Sequence, residues 1–482
     1  MEASVFIITY PIDSEFLSNP LVTQARQNAW YRQLQSVLER VFTDAGVRLA
    51  MKHDLIEAES QAAWNGRPAT PMVVTGCLAV VKRLMGWSYR TLEREVDASA
   101  GWRWVCGLYA QVMPDFRTIR DREVLLKPAT VRRINEKVIE LAQAIGYSDG
   151  SRLRMDGTVT ESNIHYPSDS SLLDDAARVL SRSVRRAGKV IGTKRGVEKA
   201  WFRDRHRQAH RLAREIAQLA RKAAKQGENQ RVRLYRQLLQ VIQALLDQVE
   251  RVQERLQECH GRDAQRLVST LDNYVPLVQQ VVEQARQRVL NDHKVAATDK
   301  LVSLFEPHTD IIRRGKAKPH ETEFGHKVWL AEINGGFISE YRLLEGNPPE
   351  ARYVIPSLKR HRRKFGRAPK VISGDRGLYS PENEAFAKKM GVKQVCLAKP
   401  GYKSPDRRRR EHQPWFRAAL RFRNGIEGRI SQLRRVRGLR RCLPRGLPGM
   451  ERWIGWGVIA NNIATIVAKL MKRRSSLQRL LA

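Results

Sequence analysis

Three acidic residues lie far apart in the chain, each among glycine and basic neighbours. They are Asp156 in RLRMDGT, Asp375 in VISGDRG and Glu427 in RNGIEGR. Carboxylates are the hard oxygen ligands that Mg²⁺ prefers. Two such ions can activate an oxygen nucleophile and stabilise the leaving oxygen of a phosphodiester. Because long stretches of chain separate the three acids, only a fold, and not local sequence, could bring them into one site.

The chain as a whole is strongly basic. Its 482 residues include 87 Lys and Arg against 50 Asp and Glu, a formal net charge of +37. Between residues 351 and 482 the count is 34 against 7, so most of the excess surrounds Asp375 and Glu427. Solubility requires a net charge of only about 2–8 for a small domain. The excess therefore indicates a polyanionic partner such as nucleic acid, lying across the part of the chain that carries the acids.

Composition limits the class of protein further. Hydrophobic residues make up 42% of the chain, which is enough for packed cores and too many for a disordered basic tail. The five cysteines contain no CxxC pair, so they predict neither a zinc site nor a disulfide framework. No secretory signal is evident, and the apolar run at 454–467 is interrupted by Asn461 and Asn462 and too short for a membrane span. We expect a cytoplasmic protein with no membrane partner.

Residues 1–148 are predicted to form a helical N-terminal domain. Met72–Met85 has the composition of an apolar helix, and Gly86-Trp87-Ser88 breaks it before a second helix at 89–96, which Ser88 can cap. Pro114-Asp115 begins another helix. Three short helices around a glycine-containing turn fit a helix-turn-helix-like DNA-binding module, although ordinary helical cores contain the same pattern.

A strand and then a long helical segment follow a turn at 147–151. From Leu153 to Val159 small or apolar residues alternate with polar ones, and Asp156 is one of the polar residues. Residues 176–291 are Gln-rich and Arg-rich and predict a helical insertion, a hairpin or small bundle. Its apolar seam follows a 4-3-4-3-4 spacing through Leu238, Ile242, Leu245, Val249, Val252 and Leu256. A dimer contact, a DNA clamp and a spacer that packs only on itself all remain open for this insertion.

Strand patterns return after residue 300. Residues 301–305 are one candidate, and 326–333 and 337–344 flank Asn334-Gly335-Gly336, a hairpin signal. The remaining predicted elements are a helix at 350–364, a strand at 370–373, a helix at 381–390, a strand at 394–398, a basic loop at 403–410 and a helix through Glu427. With 149–175 and 292–482 as one domain, this order matches a ribonuclease H-like α/β fold whose first strand precedes the helical insertion.

This fold would assemble the three acids. Asp156 and Asp375 would lie on neighbouring strands, and Glu427 would reach them from a helix packed across the sheet. On that helix Arg423, Glu427 and Arg434 fall within about 40° of one another around the axis. One face thus presents an acid between two arginines, which suits a metal ion and its phosphates.

The last helix and three other segments carry a family resemblance. The chain resembles bacterial insertion-sequence transposases of the DDE class, in the groups whose last helix reads Tyr-x2-Arg-x3-Glu-x6-Lys. Arg423 and Glu427 match that motif, whereas Leu420 stands for the tyrosine and Arg434 for the lysine. The other segments resemble ISNCY-type members and lie at 80–89, 164–173 and 323–328.

The resemblance implies metal-dependent cleavage at transposon ends, followed by attack of the freed 3′-hydroxyl on target DNA. Asp156, Asp375 and Glu427 would be the catalytic metal ligands, holding Mg²⁺ or Mn²⁺, with two ions expected. The partners would be double-stranded DNA of the element ends and target, and further copies of the chain in a dimer or higher oligomer at the bacterial nucleoid. No nucleotide is expected, because the chain has no GxxxxGK[ST] loop. The expected DNA contacts are Arg376, Arg407, Arg408, Arg409, Arg410, Arg423 and Arg434.

Two other functions fit the same sequence. A domesticated or decayed transposase could bind DNA as a repressor or architectural factor without catalysis. A ribonuclease H-like nuclease or resolvase could cut DNA without strand transfer. The three acids with their flanking glycines and arginines favour catalysis over the first, and the large insertion and helical N-terminal region favour a transposase over the second.

Overall fold

The computed structural model describes residues 9–59, 70–192, 203–221, 227–313 and 322–481. The chain divides into two compact units. Met1–Glu161 and His326–Ala482 form the first, called here the sheet unit, and Ser162–Gly325 form the second, called the helical unit. The predicted insertion at 176–291 lies inside the helical unit. The architecture is mixed α/β, mostly helical with one mixed sheet.

The N-terminal part of the sheet unit is helical, as predicted. Met72–Met85 ends at Gly86, which adopts the left-handed conformation that favours glycine, and Ser88 caps the next helix by accepting a hydrogen bond from the Thr91 amide. The sequence did not predict the short helix at Ala100–Cys106. The helices are α1 (Ser14–Ser18), α2 (Pro20–Gln27), α3 (Ala29–Phe42), α4 (Ala45–Glu59), α5 (Met72–Met85), α6 (Tyr89–Asp97), α7 (Ala100–Cys106), α8 (Phe116–Leu125) and α9 (Pro128–Ala144).

The sheet contains parallel and antiparallel pairs. Its strands are β1 (Arg152–Glu161), β2 (Asp310–Arg313), β3 (Thr322–Ile333), β4 (Phe337–Leu343), β5 (Val371–Gly374) and β6 (Gln394–Leu397). The order runs β3-β1-β5-β6, with β1, β5 and β6 parallel. Strand β4 pairs antiparallel with residues 328–333 of β3, and β2 with residues 322–325. The β3–β4 hairpin confirms the Asn-Gly-Gly signal, since Gly335 and Gly336 have φ of 86° and 87°.

The helical unit contains α10 (Asp169–Ile191), α11 (His206–Arg221), α12 (Gly227–Gln257) and α13 (Arg262–Ala285). All six residues of the predicted α12 seam are buried in one core with the apolar faces of the other three helices. The seam is therefore covered within this chain and is not an exposed dimer contact.

The predicted strand at 301–305 is wrong. Leu301 and Leu304 are buried in the core of the helical unit, and no strand includes them. The Leu301 amide donates to Oε1 of Gln284 (2.9 Å), so a side chain satisfies a backbone group that a strand would have paired.

Five helices complete the sheet unit: α14 (Val354–Phe365), α15 (Pro381–Lys389), α16 (Pro405–His412), α17 (Pro414–Val436) and α18 (Gly446–Leu481). The predicted basic loop at 403–410 is wrong, because most of it forms α16. Ser404 caps this helix through its Oγ, Pro405 occupies the first position, and Asp406 lies in the first turn.

Helix α18 explains the long apolar run. Residues Gly446–Arg474 are long and apolar enough to cross a membrane by length and composition, and 67% of the most apolar window is buried inside the protein. Asn462 is fully buried, accepts a hydrogen bond from the Ile338 amide and donates to the Ile338 carbonyl. The Asn462 side chain thereby satisfies both backbone hydrogen-bonding groups of Ile338 in β4. Helices α3, α5, α9 and α18 share one hydrophobic core with β1 and β3.

Candidate active site

The sheet brings Asp156 and Asp375 together. Strands β1 and β5 are parallel neighbours with Arg154 opposite Ser373, so each aspartate lies two residues beyond that pair. Asp156 is within β1, and Asp375 follows the carboxyl end of β5. Since neighbouring strands lie about 4.8 Å apart, the two carboxylates can share one small ligand. The negative charge of Asp375 contributes to the raised pKa of Asp156, which shows their proximity.

Asp156 lies in a buried, largely anionic environment. Its Oδ1 accepts from the Gly157 amide (2.8 Å) and its Oδ2 from Nη2 of Arg423 (3.2 Å). Burial raises the pKa of Asp156 to about 6, Arg423 opposes the rise, and the charges of Asp375 and Glu350 add to it. A cation bound here would offset the cost of holding these carboxylates ionised together.

Glu350 is a further carboxylate whose charge acts on Asp156 and which the sequence did not reveal. It begins the 3₁₀ turn Glu350–Tyr353 before α14, and its carboxylate lies directly over the Cα of Gly157. Nζ of Lys327 lies 3.7 Å from Oε1 of Glu350, and both side chains are mostly buried. No strand pattern or spacing distinguishes Glu350 locally, because it reaches Asp156 only through the tertiary fold.

The contact between Glu350 and β1 depends on the missing side chain of Gly157. A Cβ at residue 157 would overlap the Glu350 carboxylate, so Gly157→Ala must displace that carboxylate and change its electrostatic effect on Asp156. We expect this substitution to reduce Mg²⁺-dependent DNA cleavage about tenfold or more, as loss of a supporting group at a metal site does. The matched control is Gly428→Ala in α17, where a Cβ meets open space. Equal cleavage rates for the two variants would remove Glu350 from the site.

Helix α17 carries Arg423 and Glu427 towards the strands. Nη1 of Arg423 donates to Oε1 of Glu427 (2.6 Å) while its Nη2 donates to Asp156, so the arginine bridges the two acids. The Glu427 side chain is 62% exposed. The predicted face of α17 thus joins Glu427 to Asp156 through Arg423. Arg434 is half-buried further along the same helix, and Leu420 packs against the small apolar cluster around Cys396 and Phe416.

A buried ion pair docks α17 on β1. Nε and Nη2 of Arg154 donate to the two carboxylate oxygens of Glu332 on β3, at 2.9 Å and 2.5 Å, and Nη1 donates to the Phe422 carbonyl of α17. The Glu332 side chain is fully buried, and Nε of Arg429 lies 3.6 Å from it. The absence of a Cβ at Gly425 leaves room for the Arg154 guanidinium. This pair fixes the helix that carries Arg423 and Glu427.

The remaining predicted arginines fall into two groups. Arg407 pairs with Glu384 (2.6 Å) and Glu411 (2.7 Å), and Arg410 also pairs with Glu384, so both are tied into the protein. These four charges link α15 to α16. The other arginines are exposed, namely Arg376 next to Asp375, Arg408, and Arg409, which pairs with Asp406 at the surface.

The raised pKa of Asp156 predicts a pH-dependent cost in the metal-free protein. The folded state retains a proton on Asp156 up to about pH 6, whereas its ordinary pKa is 3.8, so stability falls as pH rises across that interval. Above about pH 6 the loss in free energy of unfolding is on the order of 3 kcal/mol. We expect Asp156→Asn in EDTA to be more resistant to urea than the wild type at pH 7.5. The difference should shrink as pH falls from 6 towards 4, and Mg²⁺ should reduce it at pH 7.5. A constant difference across this range would contradict the burial of an ionised Asp156.

Residues 80–89, which carry part of the family resemblance, pack largely inside the N-terminal helices. Lys82 is buried, donates to Oε2 of Glu123 (3.0 Å) and lies over the Tyr89 ring, whose hydroxyl also donates to Glu123. These contacts join α5, α6 and α8. The outward faces of α6 and α8 carry exposed arginines, namely Arg90, Arg94, Arg117 and Arg120.

Comparison with known families gives one match, in the N-terminal helices. Residues 26–122 match the family model described as Transposase domain (DUF772). The matched segment runs from the end of α2 into α8 and ends before the first of the site acids. The match supports a transposase family and role, which implies DNA as the partner. No curated protein and no solved structure matches the chain.

Proposed function

We propose that this protein is a DDE transposase that cleaves the ends of its own element and joins them to target DNA. The observation that carries the proposal is the parallel register of β1 and β5, which sets Asp156 beside Asp375 with Glu350 and the Arg423–Glu427 pair around them. The transposase match supplies the substrate class.

The sheet order supports a ribonuclease H-like catalytic domain. An antiparallel hairpin of β3 and β4 lies beside β1, and parallel β5 and β6 lie on the other side of β1. The element order in the sequence favours the same fold, and Ser162–Gly325 follow β1 as a second compact unit.

The donor set suits a hard divalent cation. Asp156, Asp375 and Glu427 would hold Mg²⁺ or Mn²⁺, and their oxygens are the ligands these ions prefer. When bound, the ions would supply activation of the attacking oxygen and neutralisation of charge on the phosphate.

The protein's own residues would bind and orient the DNA backbone. Arg423 lies between Asp156 and Glu427, so it can position both carboxylates and donate to a phosphate oxygen at the site. Arg376 is exposed next to Asp375 and can contact the adjoining phosphate. The exposed arginines of α6 and α8 give the N-terminal helices a basic surface for the terminal repeats.

A cleavage and joining assay tests the proposal. The full chain is incubated with Mg²⁺ and a labelled fragment carrying the inverted repeats that flank its gene. We expect nicked ends and joined products that disappear in EDTA. Binding of the repeats without cleavage would favour the repressor alternative, and cleavage without joining would favour a nuclease or resolvase.

A further inference from the structure

We propose that the helical unit binds one divalent transition metal, of the Zn²⁺ class, through Asp174, His206 and His210. The three side chains belong to α10 and α11, and one ligand atom from each lies within 4.8 Å of the others. This site is separate from the acids of the sheet unit. It does not depend on the proposed function.

The two histidines are one helical turn apart on α11. A spacing of four residues puts His206 and His210 on the same face, and their ring centroids are 5.8 Å apart. Ala209 and Ala213 continue this side of α11 into the buried core of the unit. The small alanines bring α11 close to α10, where Asp174 follows the buried Leu173.

The Asp174 carboxylate faces both rings. Nδ1 of His210 lies 2.9 Å from Oδ2, and Nε2 of His206 lies 3.5 Å from Oδ1. Among the residues that the structure describes, no arginine or lysine pairs with this carboxylate, although the chain has 87 of them. Oδ1 is buried and accepts no hydrogen bond from the residues that the structure describes. A buried carboxylate oxygen without a hydrogen-bond donor destabilises the fold unless a cation binds to it.

The dimensions fit a tetrahedral ion. Zn²⁺ ligands lie about 2.0–2.2 Å from the metal, so neighbouring ligand atoms are about 3.3 Å apart. The histidine nitrogens lie 2.9 Å from Oδ2 and 3.5 Å from Oδ1 of Asp174, and the three ligand atoms lie within 4.8 Å of one another, so the side chains must draw in slightly to bind one ion. Imidazole nitrogens favour Zn²⁺, Co²⁺, Ni²⁺ or Cu²⁺ over Mg²⁺. The side chains of Asp174, His206 and His210 are 23%, 33% and 50% exposed, which leaves access for the ion and for a water as fourth ligand.

The metal would cross-link α10 to α11. The sequence analysis did not identify this site, because the cysteines carry no zinc spacing and residues 174 and 206 are brought together only by packing of the bundle. A bound ion would stabilise the bundle by a free energy that rises with the logarithm of its free concentration over its dissociation constant.

Metal analysis of the full-length protein tests the site. The chain is stripped with chelator, equilibrated with Zn²⁺, passed through a desalting column and assayed by mass spectrometry for bound metal. We expect about one Zn²⁺ per chain with micromolar or tighter affinity in the wild type and in His293→Ala, an exposed histidine of the same unit. The double substitution His206→Ala/His210→Ala and the single Asp174→Asn should each weaken binding by more than about tenfold.

Co²⁺ provides a second readout that separates this site from the acids of the sheet unit. Nitrogen-ligated, four-coordinate Co²⁺ absorbs visible light more strongly than Co²⁺ held by carboxylates and water. The visible band should be present in the wild type and in Asp375→Asn and absent from the histidine variants, with unchanged far-UV circular dichroism. The proposal is overturned if the wild type retains no Zn²⁺, or if the histidine and Asp174 variants retain as much as His293→Ala.

Discussion

Replacing Asp156 or Asp375 by asparagine is expected to reduce Mg²⁺-dependent DNA cleavage at least about a thousandfold. The two residues lie side by side on parallel strands, and each supplies charge that asparagine cannot. Loss of about 4 kcal/mol of transition-state stabilisation corresponds to that factor, and metal-ion catalysis provides several kcal/mol of it. DNA binding should persist, because a lost carboxylate does not weaken the arginine contacts to phosphate. Rates are measured on labelled end fragments under single-turnover conditions.

The matched control for these variants is Asp406→Asn. Asp406 is 83% exposed and pairs only with the exposed Arg409 among the described residues, so its loss should leave cleavage within about twofold. Wild-type rates for Asp375→Asn would show that Asp375 is a turn residue and not a metal ligand. Equal loss of cleavage and of DNA binding would indicate misfolding, which the elution volume and circular dichroism would reveal.

Glu332→Ala is expected to have the largest effect on stability, about 3–5 kcal/mol of the free energy of unfolding, because it leaves the buried Arg154 guanidinium without its carboxylate. Urea unfolding followed by tryptophan fluorescence measures this, since nine of the ten tryptophans belong to the sheet unit. Glu95→Ala is the control, an exposed pair with Arg94 whose loss should cost about 0–1 kcal/mol. A loss below about 1 kcal/mol for Glu332→Ala would mean that the pair does not hold α17 on β1.

Local signals in the sequence were sufficient for many of the elements. Ser88 and Gly86 delimit α5 and α6 because their cap chemistry is local, and Asn334-Gly335-Gly336 sets the hairpin for the same reason. The alternation around Asp156 placed it in a strand, and the Gly374-Asp375 step placed the second acid at a strand end. The parallel pairing that joins these acids followed from the order of the elements.

Tertiary contacts decided what the sequence could not. Glu350 has no local signal, and its charge acts on Asp156 only because the fold brings it against Gly157. All four arginines of Arg407–Arg410 were expected to contact DNA, but Glu384 on another helix pairs with Arg407 and Arg410. Local reasoning also missed the Ser404-Pro405-Asp406 cap signal, and so predicted a loop where a helix forms. Leu301 and Leu304 have strand-like composition yet pack in a helical core.

The most direct test of the metal assignment is a ligand exchange at Asp375. A thiolate at this position binds Mg²⁺ poorly and accepts softer ions better. We expect Asp375→Cys to cleave end DNA at least about a hundredfold more slowly than the wild type in Mg²⁺ and to recover at least about tenfold in Mn²⁺, whereas Asp375→Asn recovers less. Cleavage by Asp375→Cys at the wild-type rate in Mg²⁺, or wild-type cleavage that continues in EDTA, would contradict a catalytic metal held by Asp156 and Asp375.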